Sequence, residues 1–160
     1  MKKRLYFLIT ILFCIALTGC LGEKTKTYTS HGASIELPTS FYEKDLASAT
    51  AYFESNKAII SFVKEEFTIL ESVGITKDTS LDTYAEAVLS NNKLTSEIKK
   101  QKEYQYFTYE KSASGKNFFY TSAVFKTDDA FWLINFACDI KDKDAYQTEF
   151  LKWADTMKFE

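Results

Sequence analysis

In Lys116-Asn117-Phe118-Phe119-Tyr120-Thr121-Ser122-Ala123-Val124-Phe125-Lys126-Thr127-Asp128-Asp129-Ala130-Phe131-Trp132-Leu133-Ile134-Asn135-Phe136-Ala137-Cys138-Asp139-Ile140, two apolar runs flank an acidic pair. Successive side chains of an extended chain point to opposite faces. Phe119, Thr121, Ala123 and Phe125 therefore share one face, and Phe118, Tyr120 and Val124 the other. After Asp128-Asp129, Phe131, Leu133 and Ala137 oppose Trp132, Ile134 and Phe136. Apolar residues on both faces mark a sheet covered on both sides. A connection as short as Asp128-Asp129 forces antiparallel pairing. A third run, Glu97 to Glu110, precedes them across the turn-like Ser112-Ala113-Ser114-Gly115. The spacing predicts a three-stranded meander over about 97–110, 116–127 and 130–140.

Such a sheet needs covers, and the flanking sequence offers two. Tyr146, Phe150, Trp153, Ala154 and Met157 form one stripe of a C-terminal helix. Leu81, Tyr84, Ala85, Val88 and Leu89 recur at i, i+3, i+4, i+7 and i+8, one face of a second helix. Thr79 with Asp82 gives it an approximate capping box, and Asn91-Asn92 ends it. Further upstream, Ala33 to Leu37 alternates and stops at Pro38, the only proline. Thr50 to Phe53 and Ala58 to Phe67 predict two more strands around a turn at Glu54-Ser55-Asn56-Lys57, while 68–77 fits a loop or a short element. The order is three strands, helix, three strands, helix. The fold class is α+β, an antiparallel sheet covered by helices on both faces in an α/β/α sandwich.

Three features resemble the PsbP/DcrB-like group. They are Ile35-Glu36-Leu37-Pro38 leading in, Thr79-Ser80-Leu81-Asp82-Thr83-Tyr84-Ala85 opening the first helix, and the aromatic meander closing through Phe150 to Phe159. The group shares its fold with a nuclear import factor that binds the small GTPase Ran. The resemblance spans nearly all of 28–160 and implies an accessory or binding protein, several relatives being lipoproteins. It carries no shared catalytic residues.

The N-terminus is of another character. Lys2, Lys3 and Arg4 precede an apolar run, Leu5 to Leu17, broken only by Thr10. As a helix it is about 20 Å long, short of a hydrocarbon core of roughly 30 Å. A basic start and a short apolar run mark a signal peptide. Leu17-Thr18-Gly19-Cys20 resembles the lipobox of bacterial lipoprotein precursors, which implies lipid on the Cys20 thiol and cleavage between Gly19 and Cys20. Two acyl chains at ~0.8 kcal/mol per methylene make such an anchor effectively permanent. The expected organisation is a signal peptide over 1–19, a lipidated tether over 20–27 and a folded domain over 28–160. Localisation follows: the outer face of the bacterial cell membrane, or the outer membrane in a two-membrane envelope.

Loss of the leader takes three of the 20 basic residues and leaves 17 against 22 acidic ones, a net charge of −5 with no arginine. That composition argues against nucleic-acid recognition, which uses Arg forks and a net basic face. Cys14 goes with the leader and acylation blocks Cys20, so Cys138 is the one thiol left, in an apolar setting that suits an inert buried side chain. At 160 residues with 16% aromatic content, one core is enough without disulfide or metal.

Catalytic patterns are sparse. His31 is the only histidine and suits a solvated strand edge; no Gly-x-Ser-x-Gly turn presents a serine. Asp139, Asp142 and Asp144 lack the glycine and closing glutamate of a calcium loop and suit helix capping. Gly115-Lys116 has neither the first glycine nor the Ser/Thr of a phosphate loop and is a hairpin turn. Glu65 and Glu66 are adjacent on a strand and face opposite sides. Lys99, Lys100 and Lys102 fit a solvated strand end better than a contact for an acidic partner. Tyr104, Tyr106 and Tyr109 fit either core or a binding surface. The expectation is therefore a non-catalytic lipoprotein module, without cofactor or metal, that binds a protein or envelope component near the membrane. The alternative is a carrier of a small apolar ligand, with a pocket between sheet and helix.

Overall fold

The computed structural model describes residues 23–160. The leader 1–19, the Gly19–Cys20 cleavage site, lipidation of Cys20 and the first tether residues lie outside the described residues. The strands are β1 (Thr25–Ser30), β2 (Ala33–Pro38), β3 (Tyr42–Glu43), β4 (Ala51–Glu54), β5 (Ala58–Glu66), β6 (Lys99–Lys100), β7 (Gln105–Ala113), β8 (Lys116–Lys126), β9 (Ala130–Asp139) and β10 (Lys158–Phe159). The helices are α1 (Phe67–Leu70), α2 (Leu81–Asn91) and α3 (Lys143–Ala154). Seven strands form one antiparallel sheet in the order β3-β4-β5-β9-β8-β7-β6, and β1-β2-β10 form a small second sheet. The protein is the expected α+β sandwich of antiparallel strands and covering helices.

Register shows how the two-faced strands are used. Phe119 opposes Cys138, and Phe125 opposes Trp132. These residues, with Ala123, Ile134 and Phe136, face α3 and the small sheet, where Phe150, Trp153, Ile35 and Leu37 close the larger core. The opposite face sends Phe107, Val124 and Phe131 against Tyr84, Ala85, Val88 and Leu89 of α2. Tyr84 stacks on Phe131 with ring centroids 4.0 Å apart. Stacking at that separation adds to what burial alone gives.

Several boundaries differ from expectation for identifiable reasons. The tether does not run to Thr27: Thr25, Lys26 and Thr27 pair with Pro38, Leu37 and Glu36, because a two-residue turn at His31-Gly32 carries β1 back along β2. Both turn residues have positive φ, 52° and 83°, the type I′ geometry that matches strand twist. Ser114-Gly115 repeats it at 51° and 76°, so the meander turn is two residues and not four. The expected strand from Glu97 to Glu110 is broken. Lys99-Lys100-Gln101-Lys102-Glu103 offers no apolar residue to either face, so it folds back as β6, with Gln101 N–H donating to the Tyr104 carbonyl at 2.8 Å. Ser80, not Thr79, caps α2: its Oγ accepts from Thr83 N–H at 3.1 Å. Thr79 instead accepts from Thr76 N–H in the preceding turn. Phe67 begins α1 where β5 was expected to continue, and Met157 lies beyond α3 but packs on the same core.

Candidate functional site

An eleven-residue α2 is about 16 Å long. Seven strands at ~4.8 Å spacing are about 29 Å wide. The partners of α2, Phe107, Val124 and Phe131, lie towards one end of their strands, and further along the same strands part of this face of the sheet is open. The open part follows from the register. Ile59 lies opposite Ala137, Ala137 opposite Tyr120, and Tyr120 opposite Tyr109, one continuous apolar row across β5, β9, β8 and β7. The row towards α2 is polar: Ser61 opposes Asn135, whose Oδ1 accepts from Ser122 Oγ at 2.5 Å. Tyr52 on β4 and Phe118 on β8 complete a shallow hollow of about 430 Å³. Tyr109 and Tyr120 stack at 4.8 Å along its side, which stiffens that wall.

The rim carries charge of one kind to spare. Glu54 accepts from both Tyr42 and Lys44, and these bonds hold its carboxyl below the usual range. Asp139 lies 3.7 Å from Lys141, while Glu110, opposite Phe119, faces α3 and pairs with Lys143 at 2.8 Å. Lys57, Lys111 and Lys116 are exposed and make no ion pair among the described residues. Lys116 lines the hollow, Lys57 the small cleft beside it, and Lys111 opposes Phe118 in the ladder. Burial raises the hydroxyls of Tyr109 and Tyr120; burial, then Glu54, raises that of Tyr52. The trough is thus aromatic and uncharged with a lysine rim.

The first residues of the domain sit at the same end of the sheet. Thr39 N–H donates to the Lys24 carbonyl at 2.8 Å. Three residues later Tyr42 pairs with Glu54, where the Ser55–Lys57 turn begins.

The residues singled out from sequence are scattered. His31 is exposed in the first hairpin turn, its Nδ1 2.9 Å from Ser30 Oγ, with no carboxylate bonded to the ring. Cys138 is buried, and burial, followed by Asp142 and Asp139, pushes its thiol up to about 11. Asp139 Oδ1 accepts from Lys141 N–H and Asp144 sits in the first turn of α3. Among the described residues no three His, Cys, Asp or Glu side chains converge as a metal site would need. Glu65 accepts from the Tyr84 hydroxyl, while Glu66 is exposed. Lys100 pairs with Asp82 at 2.8 Å and Lys102 lies 3.6 Å from Glu103. The three tyrosines divide: Tyr104 is buried on the α3 side, donating to Asp155 at 2.8 Å, Tyr106 packs beside it, and Tyr109 packs against the α2 core and stacks on Tyr120. A larger hollow of about 600 Å³ lies around Tyr104 and Asp155, but those two groups already satisfy each other. Tyr52, Ile59, Phe118 and Tyr120 were legible as one face of a sheet, not as an uncovered one.

No family model matches the chain, and no curated protein does. Among solved structures, the solution structure of cyanobacterial PsbP (CyanoP) from Synechocystis sp. PCC 6803 superposes with a TM-score of 0.54 at 13% identity, covering 91% of this chain and 99% of that one. A crystal structure from Bacteroides thetaiotaomicron VPI-5482 superposes with a TM-score of 0.54 at 14% identity over 84% of this chain. This chain spans 48% of that protein's length. The fold is thus PsbP-like.

Proposed function

We propose that the chain is a lipid-anchored extracytoplasmic module that binds a protein or envelope component at the membrane surface and does no chemistry of its own. The observation that carries this reading is the open aromatic trough, near the sheet end where Lys24 at the start of the described residues bonds Thr39. An uncovered apolar patch rimmed by polar residues marks an interaction surface. The lipobox-like Leu17-Thr18-Gly19-Cys20 supports the anchor, and the solitary His31 and buried Cys138 offer no nucleophile with a base. The test is chemical crosslinking in intact cells. A complex made by the wild-type chain is expected to be lost with Tyr120→Asp, and to be lost with Cys20→Ser as the protein leaves the membrane fraction. A crosslinking pattern indifferent to both substitutions would overturn the proposal.

The volume of the trough favours one other reading, a carrier of a small apolar ligand, since such sites occupy roughly 300–1,000 Å³. Oleate serves as the probe. A ligand at 100 times its Kd stabilises the native state by about 2.7 kcal/mol, so a rise in melting temperature that Ile59→Asp abolishes would favour the carrier.

A further inference from the structure

One face of the seven-stranded sheet has seats for two helices and fills one. α2 covers Phe107, Val124, Phe131 and their neighbours, while the row Ile59, Ala137, Tyr120 stays open beside it. From β4 to β8 the open floor crosses four strands, about 15 Å, the length of roughly ten helical residues. An α-helix about 10 Å across fits between the covered rows and the Ala113–Lys116 hairpin that closes the far side. An added strand fits less well, because it would join an edge of the sheet, beside β3 or the stretch of β7 that β6 leaves unpaired, and leave the trough empty.

Charge selects among helices. The acids on the rim, Glu54 and Asp139, each have a lysine beside them, while Lys57, Lys111 and Lys116 have no ion-pair partner among the described residues. A cationic helix would be repelled, and this removes the chain's own Lys2-Lys3-Arg4 leader as an occupant. Complementary charge across an interface fixes register and raises the association rate more than the affinity.

We infer that the trough is the seat of an amphipathic helix from a membrane-associated partner protein, with an apolar stripe laid on Ile59, Ala137, Phe118 and Tyr120 and acidic residues flanking it towards Lys57, Lys111 and Lys116. This deepens the binding role proposed above and rests on it. The second copy of this chain is a poor occupant, since α2 and α3 already bury their apolar stripes in the two cores.

The test uses the full chain in its native membrane, with the photo-crosslinking residue p-benzoylphenylalanine in place of Phe118, or of Gln147 on exposed α3 as control. The expected adduct forms from position 118 and not from 147. It maps by mass spectrometry to a segment whose apolar residues recur at helical spacing beside Asp or Glu. Lys111→Glu combined with Lys116→Glu is expected to cut the adduct yield at least about fivefold; both side chains are exposed, so the melting temperature should stay near wild type. Raising the salt should mimic that loss. Adducts to lipid, to a second copy or to an extended segment would overturn the helix while leaving a binding role for the trough. A yield unchanged by the double charge reversal also overturns the inference. No adduct at position 118 sinks both.

Discussion

Cys138, Tyr84 and Tyr104 share a condition that individual contacts do not reveal: each keeps its proton because folding buries it. The thiol is pushed from its usual 9.0 up to about 11, and burial followed by the bonded carboxylates raises both phenols above 10.0. The folded state favours the protonated form, so the stability these groups contribute is fully present below pH 9 and falls as pH rises through 9–10 and beyond. Urea midpoints should therefore decline above pH 9, and Tyr84→Phe should flatten part of that decline; equal slopes in the two proteins would refute the assignment. A two-unit rise also means about 100-fold less thiolate, so native Cys138 should react at least that much more slowly with iodoacetamide at pH 8 than the unfolded chain. Glu54 works in the opposite sense. Its depressed carboxyl contributes above the usual 4.5 and is lost as pH falls, and Glu54→Gln should remove that acid limb. His31 was placed from sequence at a solvated edge, and its φ of 52° narrows the residues that fit there. Asn is the residue type I′ turns prefer there, so His31→Asn should hold or raise the melting temperature.

Elements were legible where pattern is dense and illegible where pairing is decided elsewhere. The alternation through 116–140 gave both strands and both faces, because each face meets its own core. β1 was not legible because Thr25 to Thr27 carry no apolar side chain of their own; its pairing is set by the His31-Gly32 turn and by buried Tyr28. β6 escaped because a lysine-rich continuation of a strand looks the same whether it extends or folds back. The trough could not be seen either. Periodicity says which residues share a face, but the rows that α2 shields depend on where along the strands the helix lands. The cap of α2 is a checkable case: Ser80→Ala removes the acceptor of Thr83 N–H and should cost about 1 kcal/mol in a thermal melt. Thr79→Ala should cost less, since Thr79 bonds the preceding turn and not the helix.

At the scale of the whole molecule, β8 and β9 give residues to both cores, so neither can come apart while the other stays packed. Phe150→Ala on one side and Phe131→Ala on the other should each cost roughly 3–5 kcal/mol. Both should shift a single transition, and amide exchange in α2 and α3 should report the same opening free energy. Separate transitions would show two independent units. The division of aromatics between the layers has a consequence for anyone watching the protein by its own light. Trp132 and Trp153, the only two tryptophans, lie in the core shared with α3, while the trough on the other side of the sheet holds Tyr52 and Tyr120, with Tyr109 stacked on Tyr120. An occupant of the trough will thus leave indole emission nearly still and register in the tyrosine bands of the near-ultraviolet spectrum, and a titration followed only at tryptophan wavelengths will see nothing happen.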